Sequence, residues 1–156
     1  VGPFIPKAAL ERIAAYVGQT ARFAGLDEFE RALRLIHAPF GPLTDAQWRH
    51  LATHSARTLA DGGVTFGYDP GIADAFKVAA VEDVNLWPVW EAIRCPVLVL
   101  RGAGSDVLTR ADAQAMTQRG PKAQLVEFPG IGHAPVLMEA AQIAVVRDWL
   151  AAGADA

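Results

Sequence analysis

Asp106 and His133 are the two side chains whose types and placement could together move a proton. Each follows a short apolar run and sits among glycines, Asp106 in PVLVLRGAGSDVLT and His133 in AQLVEFPGIGHAPVLM. A carboxylate beside an imidazole can accept a hydrogen bond from one ring nitrogen, which fixes tautomer and orientation while the other nitrogen takes a proton from a nucleophile. No hydroxyl nucleophile accompanies them. The only serines are Ser55 and Ser105, and neither lies in the G-x-S-x-G pattern of a strand-to-helix elbow. Ser105 stands on the acid's own loop, where turn formation is its expected role. The single cysteine, Cys95, has no histidine near it in sequence to activate a thiolate, and is expected as a small apolar residue leading into a strand.

The elements that must carry these residues run from Cys95 onward. The pattern predicts a strand over Val97 to Leu100, a helix from about Arg110 to Gln118, a strand over Gln124 to Phe128 and a helix over Pro135 to Ala152. Thr109 can cap the first helix, Gly120 can end it, and Pro135 suits the first turn of the second. A right-handed crossover makes the two strands parallel neighbours, and continuous apolar runs such as Val97-Leu98-Val99-Leu100 suit a sheet buried on both faces. Loops at the carboxyl ends of parallel strands gather at one edge, so Asp106 and His133 are expected side by side although 27 positions apart. Glycines 102, 104, 130 and 132 are expected to let both loops turn sharply.

Upstream, the chain reads as helical. Pro6 marks a helix start, Leu10, Ile13 and Val17 recur at spacings of three and four, and Gly18 offers a stop. Leu26, Phe29, Leu33 and Ile36 repeat that pattern, with Asp27 and Glu30 placed as a capping pair. Thr44 with Gln47 matches a capping box for a third helix, on which Trp48, Leu51 and Ser55 share a face. DGGVTFGYDP, from Asp61 to Pro70, reads as a turn and a short extended segment, and a weaker helix is expected over Ile72 to Ala80. Trp87 and Trp90 around Pro88 return the chain to the strands. The domain organisation expected is therefore a mostly helical region over 1–92 and a β-α-β-α region over 93–156.

RGAGSD after an apolar strand, then a helix, then a strand ending in PGIGHAP, closely resembles the carboxy-terminal part of α/β-hydrolases. The helical half resembles the cap that such enzymes insert after their sixth strand, and the opening VGP resembles the exit from that strand. The resemblance implies an α/β fold class in which this chain is the cap plus the last two parallel strands. It implies Asp106 as triad acid and His133 as general base, with no cofactor and no metal needed. It also implies that the nucleophile and oxyanion hole lie before Val1. Removing a triad serine costs on the order of 10⁶ in turnover, so the chain alone is expected to be inactive. The substrate of an intact enzyme would be a small, fairly apolar ester or related acyl compound. Phe40, Trp48, Trp87 and Trp90 are the first candidates to line its pocket, with Phe66 and Tyr68 beside them, although aromatic residues at helical spacing more often fill a core.

Composition sets the remaining bounds. With 156 residues, 52% of them hydrophobic, the chain can build a real core. A formal net charge of -3 with its 14 Lys and Arg scattered gives no footprint for nucleic acid or a membrane surface. No apolar run approaches the roughly 20 residues of a membrane span, and one cysteine suits a reducing, cytoplasmic setting. His50 and His54 stand four apart on one helix face, a spacing that can bind a metal, but no third ligand is evident and an exposed helix surface is preferred. His37 is expected in a turn, and Asp112 and Glu139 as solvated residues near helix N-termini. The start at Val1 resembles a truncation, and the partner expected is the missing amino-terminal segment or a second copy of the chain. The alternative reading is a non-catalytic, self-associating or partner-binding module in which the Asp-His pair is a remnant.

Overall fold

The structure is a computed structural model that describes residues 2–77, 81–133 and 135–154. In chain order the elements are β1 (Phe4–Ile5), α1 (Lys7–Tyr16), α2 (Leu26–Ile36), α3 (Asp45–Ser55), β2 (Ala56–Thr58), β3 (Val64–Phe66), β4 (Val84–Asn85), α4 (Trp87–Glu91), β5 (Leu98–Gly102), α5 (Arg110–Met116), β6 (Gln124–Phe128) and α6 (Ala140–Ala154), with 3-10 turns at Ala38–Phe40 and Pro70–Phe76. The chain divides into two compact units. One comprises Val1–Ile5, Pro39–Leu43 and Asp83–Ala156, the other Pro6–Ala38 and Thr44–Glu82. The second unit thus ends ten positions before the expected boundary at 92.

In the second unit, Pro6 precedes α1 with extended backbone, and Gly18 after it takes φ +81. Thr44 and Gln47 form the capping box on α3 in both directions, as the spacing predicts. The expected capping pair on α2 does not form. Gly25 is the N-cap, while Glu30 is buried in ion pairs to Arg34 and Arg49 at 2.7 and 3.0 Å, and Asp27 pairs with Arg49. Two arginines compete for these carboxylates more strongly than the helix terminus does. Phe29, Leu33, Ala52 and Val64 make the core, with Phe23, Phe29 and Phe66 meeting edge to face at 5.1 to 5.8 Å.

β2 and β3 form an antiparallel hairpin, Ala56 opposite Phe66 and Thr58 opposite Val64. Only its second strand was expected, because β2 continues directly from α3 without a breaker and is specified by its partner. Of the helix expected over Ile72 to Ala80, a 3-10 turn ending at Phe76 occurs, and 78–80 lie outside the described residues.

In the first unit β1 and β4 pair antiparallel, a two-residue contact too short to read from sequence. β5 and β6 are parallel and in register from Leu98 opposite Gln124 to Gly102 opposite Phe128, with α5 as the crossover. This is the expected β-α-β arrangement. Val99, Leu108, Ala113, Met116 and Ala123 form the core beneath it, with Trp87, Trp90, Val97 and Leu125 packed on its margin. Thr109 caps α5 by accepting from the Asp112 N–H. Asp112 in turn accepts from the Thr109 hydroxyl, so it belongs to the cap rather than to solvent alone.

The last helix begins at Ala140, not at Pro135. Leu137 has φ +56, which no α-helical residue takes, and its N–H donates to the buried Gln142 Oε1 at 2.9 Å. Cys95 leads into β5, as expected, and is exposed.

Candidate active site

The loops after β5 and β6 are joined main chain to main chain. Ala103 N–H donates to Phe128 O and Gly104 N–H to Ile131 O, both at 2.9 Å, and Gly132 N–H donates to Pro39 O at 2.6 Å. A Cβ on Gly102 would fall inside the carbonyl oxygen of Gly132, and one on Gly132 would strike the Pro39 ring. Of the four loop glycines only Gly130 has a left-handed φ, +73. The expectation that all four serve sharp turning is therefore corrected. Gly102 and Gly132 are small because two backbones pass within contact distance there.

This seam brings His133 against the loop that carries Asp106. Ser105 Oγ lies 2.9 Å from His133 Nδ1, and Leu108 N–H donates to the same oxygen at 3.0 Å. Ser105 is buried, whereas Asp106 and His133 are exposed. Partial desolvation holds the His133 imidazole below its ordinary value, and the negative charge of Asp106 pulls in the opposite direction.

Arg101, at the end of β5 and only 4% exposed, turns its guanidinium under the loop it launches. Nε donates to Leu108 O at 2.8 Å, Nη1 to Ala103 O at 3.3 Å and to Glu127 Oε1 at 2.6 Å, and Nη2 to Ser105 O at 3.1 Å. Three carbonyls of the acid loop are therefore held by one buried cation, whose charge Glu127 on β6 balances. Sequence reasoning passed over Arg101, and it rated Ser105 as a turn residue only. The signal available was a charged residue inside an otherwise apolar strand.

The candidate pocket aromatics go to several places. Trp48 is buried in the second unit with the Arg34 guanidinium 5.7 Å from its ring. Trp87 lies under Arg119 at 3.8 Å, and Trp90 Nε1 donates to Arg119 O, so both serve packing in the first unit. Phe40 is half-buried in the 3-10 turn. Phe66 and Tyr68 line a cavity of about 380 Å³ within the second unit, together with Leu33, His37, His54, Ser55 and Gly67. His37 follows α2 as its C-cap, and burial lowers its pKa. His50 and His54 stack at 4.3 Å on α3. Among the described residues, no three His, Cys, Asp or Glu side chains gather as a metal site would require, and no helix is long and apolar enough to cross a membrane.

A parallel strand pair whose carboxyl-end loops bring an imidazole against an acid-bearing loop defines a class. Residues 2–147 match the model of the alpha/beta hydrolase family, and the chain belongs to that family. Among its relatives is the 3-hydroxybutyrate-oligomer hydrolase of Cupriavidus necator, 40% identical over 96% of this chain and 54% of its own length. Similar solved structures include a hydrolase from Rickettsia typhi, 33% identical with a TM-score of 0.85 over 96% of this chain and 50% of that one. An alpha/beta hydrolase from Novosphingobium aromaticivorans is 38% identical with a TM-score of 0.81, over 96% and 54%. The chain spans about half the length of each of these relatives.

Proposed function

We propose that this chain supplies the base and acid of an acyl-hydrolase triad, His133 and Asp106, to a nucleophile carried on sequence that the longer relatives have and this chain does not. The observation that carries the reading is the seam of backbone hydrogen bonds that sets the His133 loop on the Asp106 loop at the carboxyl ends of β5 and β6. His133 would take the nucleophile's proton through Nε2 as the tetrahedral intermediate forms and return it to the leaving group. Asp106 would stabilise the imidazolium in between. No metal or cofactor takes part in those steps. Alone, the chain is inactive.

The substrate class is a small, fairly apolar ester. The relative named as a 3-hydroxybutyrate-oligomer hydrolase supports narrowing it to short esters of hydroxy acids. Such a substrate needs an apolar wall for its methyl-bearing chain and few polar anchors.

The test assays a short-chain aromatic ester and a 3-hydroxybutyrate dimer, with the chain alone and with an added amino-terminal segment taken from one of the longer relatives. Turnover only in the combination, abolished by His133→Ala, is the expected result. No turnover in a demonstrably assembled complex would favour a non-catalytic module instead.

A further inference from the structure

We propose that Arg101 is a positioning residue for Asp106, holding the backbone on both sides of the acid so that its carboxylate keeps one place relative to His133. The proposal deepens the reading above, since it takes Asp106 as the acid and His133 as the base.

Asp106 is exposed, so burial of its side chain is not what fixes it, and the loop between β5 and α5 is instead held through its main chain. Arg101 supplies that hold. Its guanidinium donates to Ser105 O directly before the acid, to Leu108 O two residues after it, and to Ala103 O at the start of the loop. The Ser105 N–H adds a bond back to Gly102 O at 2.9 Å. With the main chain tied before and after Asp106, the motion left to the carboxylate is largely rotation about its own side-chain bonds.

Filling the sheet face does not by itself explain an arginine here. Val99 and Arg101 stand two apart on β5 and are both buried, and an apolar side chain at 101 would cover that face without taking a charge out of water. A buried ion pair such as Arg101 with Glu127 gives little or no stability beyond what apolar residues of similar volume give. What only the guanidinium offers is a rigid plane of N–H donors, which here reaches three carbonyls and one carboxylate at once. Lysine keeps the charge and lacks the plane, so it separates geometry from charge.

The experiment is a double-mutant cycle read on the His133 ring-proton titration of the full chain. The ring signals are assigned by their loss in His133→Ala, and the amide spectrum of each variant reports whether it folds. Burial lowers the His133 pKa and the Asp106 charge works against it, so a carboxylate that drifts from its place lets the pKa fall. Arg101→Lys should therefore shift the titration down by most of the shift that Asp106→Asn causes, and should add nothing in the Asp106→Asn background. Glu127→Gln leaves the three carbonyl bonds in place, so the Asp106→Asn increment should keep its wild-type size there even where the urea midpoint drops. An unmoved titration in Arg101→Lys, a full Asp106→Asn increment in its background, or no Asp106→Asn shift in the wild type overturns the proposal. Loss of the increment in Glu127→Gln as well would trace the effect to the ion pair and overturn it too. Should Arg101→Lys not fold, side-chain nitrogen spectra of the wild type carry the test. Separate Arg101 guanidinium protons in slow exchange with water support the hold, and averaged, rapidly exchanging ones overturn it. In the assembled enzyme Arg101→Lys should lower kcat roughly ten- to a hundredfold with KM nearly unchanged, the range known for loss of an outer-shell partner. Coupling between Arg101 and Asp106 in a complex without His133-dependent turnover would leave Arg101 as positioner and remove the hydrolase reading. His133-dependent turnover without that coupling would do the reverse.

Discussion

Burial lowers the pKa of two imidazoles, His37 and His133, below the ordinary 6.5, desolvation being the largest cause in each. A group harder to protonate in the folded chain than in the unfolded one binds fewer protons when folded, so stability falls as pH falls below about 6.5 and the loss is complete below the folded values. Urea midpoints should therefore drop between pH 7 and 5, and His37→Gln should flatten part of that slope. A separate loss should follow near pH 3.8 and below. There Asp61, held low first by the Gly63 N–H and then by Arg22, and Asp148, held low by Arg147, become protonated. Asp106 acts on His133 in the opposite sense to burial. Asp106→Asn should thus lower the His133 pKa further, readable in its ring-proton titration, and an unmoved titration would remove the carboxylate's field from the account.

At the scale of elements, the parallel strands are spaced by what their loops permit. Gly102→Ala would drive a methyl into the Gly132 carbonyl and should cost about 3 kcal/mol or more in chemical unfolding, since neither backbone can retreat without breaking the seam. Gly130→Ala meets open space and strains only its left-handed φ, for about 1 kcal/mol. If the two variants cost the same, close approach is not what selects glycine at 102. These strands were readable in advance because apolar runs ending in glycine carry their own boundaries, as did the Thr44 box and the Thr109 cap. What stayed hidden was specified from afar. β2 exists because Val64 to Phe66 pair with it, β1 because Val84 and Asn85 do, and the late start of α6 follows from Gln142 reaching back to Leu137. Asp106 and His133 stood out as candidates by type and flanking glycine. The Ser105 contact did not, because a hydroxyl beside an acid resembles any other turn residue until a second loop arrives.

Among the described residues, each of the two units has its own core, one around Phe29 and one around Val99 and Met116. Phe29 is fully buried and touches two other aromatic rings, so Phe29→Ala should cost about 3 to 5 kcal/mol. Hydrogen exchange should then speed up in peptides from 6–38 and 44–77 before those of β5 and β6, whereas uniform loss of protection would mean that the two units unfold as one. Between Ala103 and Phe128, Gly104 and Ile131, and Gly132 and Pro39, the seam under His133 is made of peptide groups alone. Peptide groups are the same in every sequence. Apart from its glycines, such a frame passes unaltered through substitutions that rewrite the surrounding side chains, so a lineage built on it can trade one substrate for another while inheriting its aim intact.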